Sequence, residues 1–251
     1  MTKLFDRPIA HRGLHDRANG VIENSRSAFE AAIAHGYAIE CDVQLSSDGV
    51  PFIFHDDIFD RLTSAQGRTD ALPIGEVQKL TLTGSSAGDV PQRFAEFLAQ
   101  IGGRAMLQIE LKQQADAAKT RALAHAVAEA LRGYSGPYTL ESFDPALLAA
   151  LRREGVTAPL GIITYGYDEP EWNADLPRWK QFVLRHLLHW PWTRFEFISC
   201  RNVSLFLPAV RFLRARGMTV TAWTITSPQA ALAAARGADQ IVFEGFLPES
   251  A

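Results

Sequence analysis

Glu40 and Asp42 stand two residues apart in the stretch 38–45, whose alternate positions are Ile39, Cys41, Val43 and Leu45. In a strand this spacing puts both carboxylates on one face and the apolar side chains on the other. Like charges buried on one face cost several kcal/mol each unless something compensates them. A divalent cation does so, because hard cations take carboxylate oxygens. A solvated strand edge would need no cation, but the apolar partners favour a buried strand. A third carboxylate comes from Gln108-Ile109-Glu110-Leu111-Lys112, where Gln108, Glu110 and Lys112 share a face. Alone, that Glu-x-Lys spacing also fits a surface ion pair.

Two histidines belong with these acids. His11-Arg12-Gly13 ends the first apolar run, and His55-Asp56 follows the run 50–54. Asp48-Gly49 is a hairpin signal. If the hairpin loop is even-numbered, odd positions pair with even ones and His55 falls on the face of Glu40 and Asp42. An odd loop would break that inference. Three carboxylates can then hold one divalent ion, and Arg12 and Lys112 suit a phosphate, Arg as a fork and Lys as a point charge. Two histidines on separate segments can serve as general base and general acid. A metal beside a phosphoryl oxygen stabilises developing charge. The set suits phosphodiester cleavage better than acyl transfer, for which no G-x-S-x-G elbow is present.

The elements that must position these residues alternate along the chain. Strands are expected at 8–11, 38–45, 105–111, 137–140, 160–163, 195–199, 218–223 and 240–243, with a further hairpin strand at 50–54. Helices are expected at 27–35, 116–131, 145–153, 178–188, 204–216 and 229–236, the first opened by a Ser27–Glu30 capping box. The stretch 56–103 is aperiodic and reads as an insertion with one short helix near 91–100. Eight strands alternating with helices predict a parallel sheet. At 251 residues a closed (β/α)8 barrel forming one domain over 1–251 is the natural solution, with an open doubly wound sheet as the alternative. No G-x-G-x-x-G follows the first strand to support a dinucleotide site. In such a barrel the active site lies at the C-terminal ends of the strands, where His11, Glu40, Asp42, Glu110 and Glu141 all fall.

The net charge is −3 and 47% of residues are hydrophobic. Neither suggests a nucleic-acid partner or a polybasic membrane footprint. Residues 1–7 lack the apolar run of a secretory leader, and no run of about 18 apolar residues predicts a membrane span. Cys41 and Cys200 lie in apolar runs and read as buried thiols, so a cytoplasmic setting is expected.

Ala10-His11-Arg12-Gly13, Glu23-Asn24-Ser25, Glu40-Cys41-Asp42-Val43, Asp48-Gly49, His55-Asp56, Glu110-Leu111-Lys112, Glu141-Ser142-Phe143 and Ala222-Trp223-Thr224 resemble, in order, the motifs of glycerophosphodiester phosphodiesterases. The resemblance runs from residue 8 to about 243. It implies a (β/α)8 TIM barrel with a small insertion after the His-Asp motif. It implies His11 and His55 as the acid/base pair, Mg²⁺ or Ca²⁺ on Glu40, Asp42 and Glu110, phosphate contacts from Arg12 and Lys112, and Trp223 in the substrate wall. It further implies a glycerophosphodiester substrate and attack by a neighbouring substrate hydroxyl, giving a cyclic diester that water opens. Two places depart from the pattern. Ile22-Glu23-Asn24-Ser25 stands where Pro-Glu-Asn-Thr is usual. Glu244-Gly245-Phe246-Leu247-Pro248 stands where the last strand commonly ends in Thr-Asp-x-Pro.

Other residues fit less directly. Glu141 could support Lys112 or the metal's ligands. The segment 165–192, with Tyr165, Tyr167, Trp172, Trp179, Trp190 and Trp192, could be a substrate lid, a homodimer surface or a helix packed on the barrel. His186 and His189 are spaced for a metal but lack a third ligand. His15 lies near the catalytic loop. The site would equally serve a lyase stopping at the cyclic product, or a diesterase for a sugar-phosphate or lipid diester. A scaffold that has lost catalysis would not need both histidines and all three acids.

Overall fold

The computed structural model describes residues 4–170, 173 and 176–249. Eight parallel strands close on themselves: β1 (Ile9–Ala10), β2 (Ala38–Leu45), β4 (Leu107–Leu111), β5 (Tyr138–Ser142), β6 (Leu160–Thr164), β7 (Phe197–Arg201), β8 (Thr219–Ile225) and β9 (Gln240–Phe243). β1 closes the ring by pairing with both β2 and β9. The short β3 (Pro51–Ile53) runs antiparallel along β2. This is the expected TIM barrel. Outside it lie α1 (Arg26–Ala34), α2 (Ile74–Val77), α3 (Phe94–Ile101), α4 (Ala117–Leu131), α5 (Pro145–Arg153), α6 (Arg178–Arg185), α7 (Trp190–Thr193), α8 (Pro208–Ala215) and α9 (Pro228–Ala234).

Local chemistry sets the helix starts. Ser25, extended at φ −109, caps α1 by accepting from Ala28 N, so the helix begins earlier than a Ser27–Glu30 box would place it. Asp116, Asp144 and Ser227 cap α4, α5 and α9 in the same way. The expected helix 204–216 begins in earnest only at Pro208, because proline fits the first helical turn but not an interior. The expected helix 178–188 stops at Arg185, and Leu187 takes φ +54 before α7 begins.

The main core lies between strands and helices, with Ile39, Cys41, Val43, Ile109 and Leu111 turned toward Phe94, Phe97, Leu123 and Val127. Alternation therefore turns Glu40, Asp42, Gln108 and Glu110 into the barrel. α3 packs in this core. The residues between β3 and α3 have a separate cluster of their own, in which Phe59, Leu62, Ile74, Val77 and Leu82 gather on Phe52, Phe54 and Ile22. The barrel floor is apolar: Phe5, Ile9, Ala38, Phe197 and Val242 pack together there. Polar side chains of the interior thus sit above a dry plug.

Candidate active site

The acidic face forms by register. Parallel pairing sets Asp42 beside Glu110 and Glu110 beside Glu141, with Glu40 beside Gln108. Glu40, Asp42 and Glu110 bring ligand oxygens within 4.8 Å of one another. Glu40 and Asp42 are buried, 3% and 1% exposed. Burial, and then the charges of Asp42 and Glu110, hold the Glu40 carboxyl well above the usual carboxylate range. Burial also raises Glu110, although Lys112 opposes it. Burial would raise Asp42 too, but Lys112, His55 and Arg12 outweigh it and hold it below the ordinary range. The cluster is therefore short of positive charge even with Lys112 and Arg12 beside it. A hard dication on these oxygen donors fits the deficit.

The cations are held in place by the same acids. Lys112 Nζ lies 2.8 Å from Glu110 Oε1 and 3.3 Å from Asp42 Oδ1. Arg12 takes a left-handed backbone, φ +54, and Gly13 follows at φ +78. This turn lets the Arg12 amide donate to Glu40 Oε2 at 2.9 Å while Nη1 donates to Glu23 Oε1 at 2.6 Å. Asn24, also left-handed, donates to Asp42 Oδ2 at 2.8 Å. The Glu23-Asn24-Ser25 tripeptide thus does three jobs: it anchors Arg12, orients Asp42 and caps α1.

Each proposed catalytic histidine leans on an acid. His11 Nδ1 is 2.6 Å from Glu244 Oε2, and His55 Nδ1 is 2.7 Å from Asp56 Oδ1. A carboxylate offers only acceptors, so Nδ1 carries the proton in both rings and Nε2 is the nitrogen left for proton exchange. Burial lowers the His11 pKa, with the Glu244 bond opposing it. His55 reaches the site by a different route from the one its sequence suggests. The β2–β3 loop, 46–50, is odd-numbered and pairs Val43 with Ile53 and Gln44 with Phe52. Strict alternation would then turn His55 away from Asp42. Instead β3 ends at Ile53, and past a last bond from Phe54 N to Asp42 O the chain leaves the ladder. The Gln44 amide, donating to the Asp56 carbonyl at 3.1 Å, holds that departure.

A cavity of about 530 Å³ opens over these groups, lined by His11, Arg12, Glu40, His55, Glu110, Lys112, Glu141, Phe143, Ser199, Trp223 and Glu244 among others. Trp223 donates through Nε1 to the Ser199 carbonyl at 3.1 Å and meets Phe143 edge-on at 5.7 Å, so an aromatic wall faces the charged one. Glu141 lies beside Ser199 Oγ at 3.5 Å, with burial pushing its carboxyl up to about 8. A neutral acid at pH 7 is a donor as well as an acceptor. His15 Nε2 lies 3.5 Å from the same Glu244 oxygen that His11 contacts. His186 packs on Phe182, and His189 is buried against Thr193; neither falls in a ligand cluster among the described residues. Trp172 lies outside the described residues.

A sequence model of the glycerophosphoryl diester phosphodiesterase family matches residues 11–244. The chain belongs to this family. Its enzyme class is that of a glycerophosphodiester phosphodiesterase, a phosphoric diester hydrolase. The human protein named glycerophosphodiester phosphodiesterase 1 is 26% identical over 246 residues, covering 87% of this chain and 71% of its own length. A glycerophosphodiester phosphodiesterase of Caldanaerobacter subterraneus is 42% identical over 73 residues, 29% of each chain. Among solved structures, an Oleispira antarctica phosphodiesterase in complex with sn-glycerol-3-phosphate superposes with TM-score 0.75 at 23% identity, covering 94% of this chain and 91% of that one. The fold is thus that of the family, and its matched span begins at His11 and ends at Glu244, the pair that meets across the barrel seam.

Two functional partners escape a sequence reading. Arg61 clamps Glu23 and Asp56 together, donating to both carboxylates at 2.7–2.9 Å. It lies in the aperiodic stretch, where no spacing relates it to either acid. Glu244 stands out in the sequence only as a departure; its hydrogen bond to His11 depends on barrel closure.

Proposed function

We propose that this protein hydrolyses glycerophosphodiesters to glycerol 3-phosphate and an alcohol, with one divalent cation, Mg²⁺ or Ca²⁺, on Glu40, Asp42 and Glu110. The observation that carries the reading is the convergence of three carboxylates short of positive charge, in one cavity with two imidazoles each backed by an acid. When bound, the cation would neutralise charge on a phosphoryl oxygen and on the attacking oxygen. The chain's own residues do the rest. Arg12 and Lys112 orient the phosphate. One histidine Nε2 takes the proton of the attacking hydroxyl as the new P–O bond forms. The other, protonated at Nε2, gives its proton to the leaving alcohol oxygen as the old P–O bond breaks. The ring so freed then takes a proton from water as that water attacks the cyclic diester, and the first ring returns its proton to the departing glycerol oxygen, leaving glycerol 3-phosphate. Trp223 and Phe143 wall the organic part of the substrate, and Glu141 offers it a neutral hydrogen-bonding group.

Cys41 and Cys200 are buried thiols, which suits the cytoplasmic role in lipid metabolism that we propose. Among the described residues no helix is long and apolar enough to cross a membrane. The test is chelation. EDTA should abolish turnover of glycerophosphocholine, and Mg²⁺ or Ca²⁺ should restore it, while ³¹P NMR follows whether glycerol 3-phosphate or a cyclic diester accumulates. Full activity in EDTA, or full activity in His55→Ala, would refute the reading.

A further inference from the structure

The net charge of −3 hides a local reversal. Residues 176–195 contain no acid and carry Arg178, Lys180, Arg185 and Arg194. Over the same residues the structure leaves large apolar side chains in water. Trp179 is 69% exposed, Phe182 56%, Trp190 44%, Trp192 62% and Leu188 49%. Scattered exposed apolar residues are ordinary, but so many within one basic stretch are not. On α6 the buried stripe is carried by Leu184, while Trp179 and Phe182, three apart, share the outward face with Arg178. Tryptophan and phenylalanine interleaved with cations, on a short helix lying flat on the body, form the pattern of a helix that sits in a phospholipid headgroup layer.

We propose that the face formed by α6 and α7 docks this protein on an anionic phospholipid surface. Charge complementarity selects that occupant. A second copy of the chain meeting face to face would set Arg178, Lys180 and Arg194 against their own copies, a repulsive contact. An anionic bilayer meets the same cations with opposite charge, and each basic residue close to it strengthens binding about fivefold. Arg185 is partly spent within the protein, donating to the Gly166 carbonyl and lying 4.0 Å from Asp168. The location is consistent with a surface-facing mouth. α6 follows β6, at the end of the barrel that carries the carboxylates, and Leu176, Pro177 and Leu184 wall a hollow of about 890 Å³ that shares His55, Lys112 and Phe143 with the catalytic cavity. Docking on α6 would bring that opening toward the lipid layer. The inference goes beyond the proposed chemistry, and hydrolysis of a water-soluble diester is its control.

The full chain is tested by co-sedimentation with vesicles of phosphatidylcholine alone or mixed with phosphatidylglycerol, at low and high salt. Binding to the anionic vesicles at low salt is expected, falling steeply as salt rises, with little binding to phosphatidylcholine alone. Trp179→Ser with Phe182→Ser should weaken it at least tenfold, and Arg178→Glu at least fivefold. Both variants should keep the wild-type melting temperature and wild-type turnover of glycerophosphocholine. If the double variant melts early, Arg178→Glu alone decides. Absence of binding to anionic vesicles at low salt overturns the proposal, as does equal binding by wild type and Arg178→Glu. A dimer in light scattering that the double variant dissolves, without vesicle binding, assigns the face to self-association instead.

Discussion

His11 Nδ1 lies 2.6 Å from Glu244 Oε2, joining the residue that follows the first strand to the residue that follows the last. Closing the barrel thus also orients the histidine. The Glu244 carboxyl is held far below its usual range by the bonds from His11 and then His15, so it is an anion at any working pH. Burial lowers the His11 pKa from 6.5 although Glu244 opposes it, and the ring is therefore neutral, a competent base, at pH 7.

Glu244→Gln should then act chiefly through His11, whose contact with Glu244 at 2.6 Å is much closer than that of His15 at 3.5 Å. An amide supports the imidazolium less, so the His11 pKa falls further and the acid limb of kcat/KM, already below pH 6.5, moves to lower pH. The lost orientation should cut kcat by roughly tenfold or more, a part of the 10²–10⁴ that a general acid–base group contributes. A pH–rate profile that superposes on the wild type after scaling would rule out this positioning role.

The convergence of the acidic residues was legible because strand alternation is a strong local code. Glu40 and Asp42 share a face whatever the barrel does, and parallel register needs only β2 beside β4 to add Glu110. The helix–strand alternation likewise pointed to a barrel. His55 was expected in the right place by an argument that fails: the hairpin loop is odd-numbered, and the residue comes in because β3 ends early. Arg61 was not legible at all. Its clamp on Glu23 and Asp56 joins residues 38 and 5 positions away through a stretch whose conformation comes from its own small apolar cluster rather than from periodicity. The charge summary concealed the basic α6 face, since a net value averages over the very asymmetry that matters there.

Glu40→Gln separates the cation's contribution from the fold. The carboxyl is raised by burial and by its like-charged neighbours, so the cation-free wild type carries a cost that an amide removes. An amide oxygen still accepts from the Arg12 amide. In EDTA the variant should melt about 2 °C or more above wild type, as expected for roughly 1 kcal/mol in a chain of this size. With saturating Mg²⁺ or Ca²⁺ the order should reverse, because only the wild type gains strongly from binding. Equal melting temperatures in EDTA, or equal upward shifts with metal, would count against a cation on this residue.

Gly13→Ala tests the turn that presents Arg12. Gly13 has φ +78, and an added Cβ would lie 2.9 Å from both the carbonyl carbon and the Cβ of Ala28. The backbone penalty and the clash together should cost about 1–3 kcal/mol. Because Arg12 must move to relieve the contact, KM for a glycerophosphodiester should rise along with the loss of stability. An alanine variant with wild-type melting temperature and KM would show that the turn tolerates a side chain.

Glu141→Gln should make the protein more stable at neutral pH, and the size of the gain should depend on pH. Burial, with Glu110 adding to it, pushes the Glu141 carboxyl up to about 8, against the pull of hydrogen bonds from Gln108 and Ser199. Below pH 4.5 the acid is protonated both folded and unfolded, and it costs nothing. Between pH 4.5 and 8 the unfolded chain releases the proton while the folded protein keeps it, so wild-type stability declines as pH rises. An amide cannot ionise and removes that decline. In EDTA the advantage of the variant should grow from near zero at pH 4.5 to at most about 3 kcal/mol at pH 7. Denaturant melts at the two pH values measure it. A difference that stays the same at both would mean that Glu141 ionises in the fold as it does in water, and that the barrel interior holds it by some charge partner.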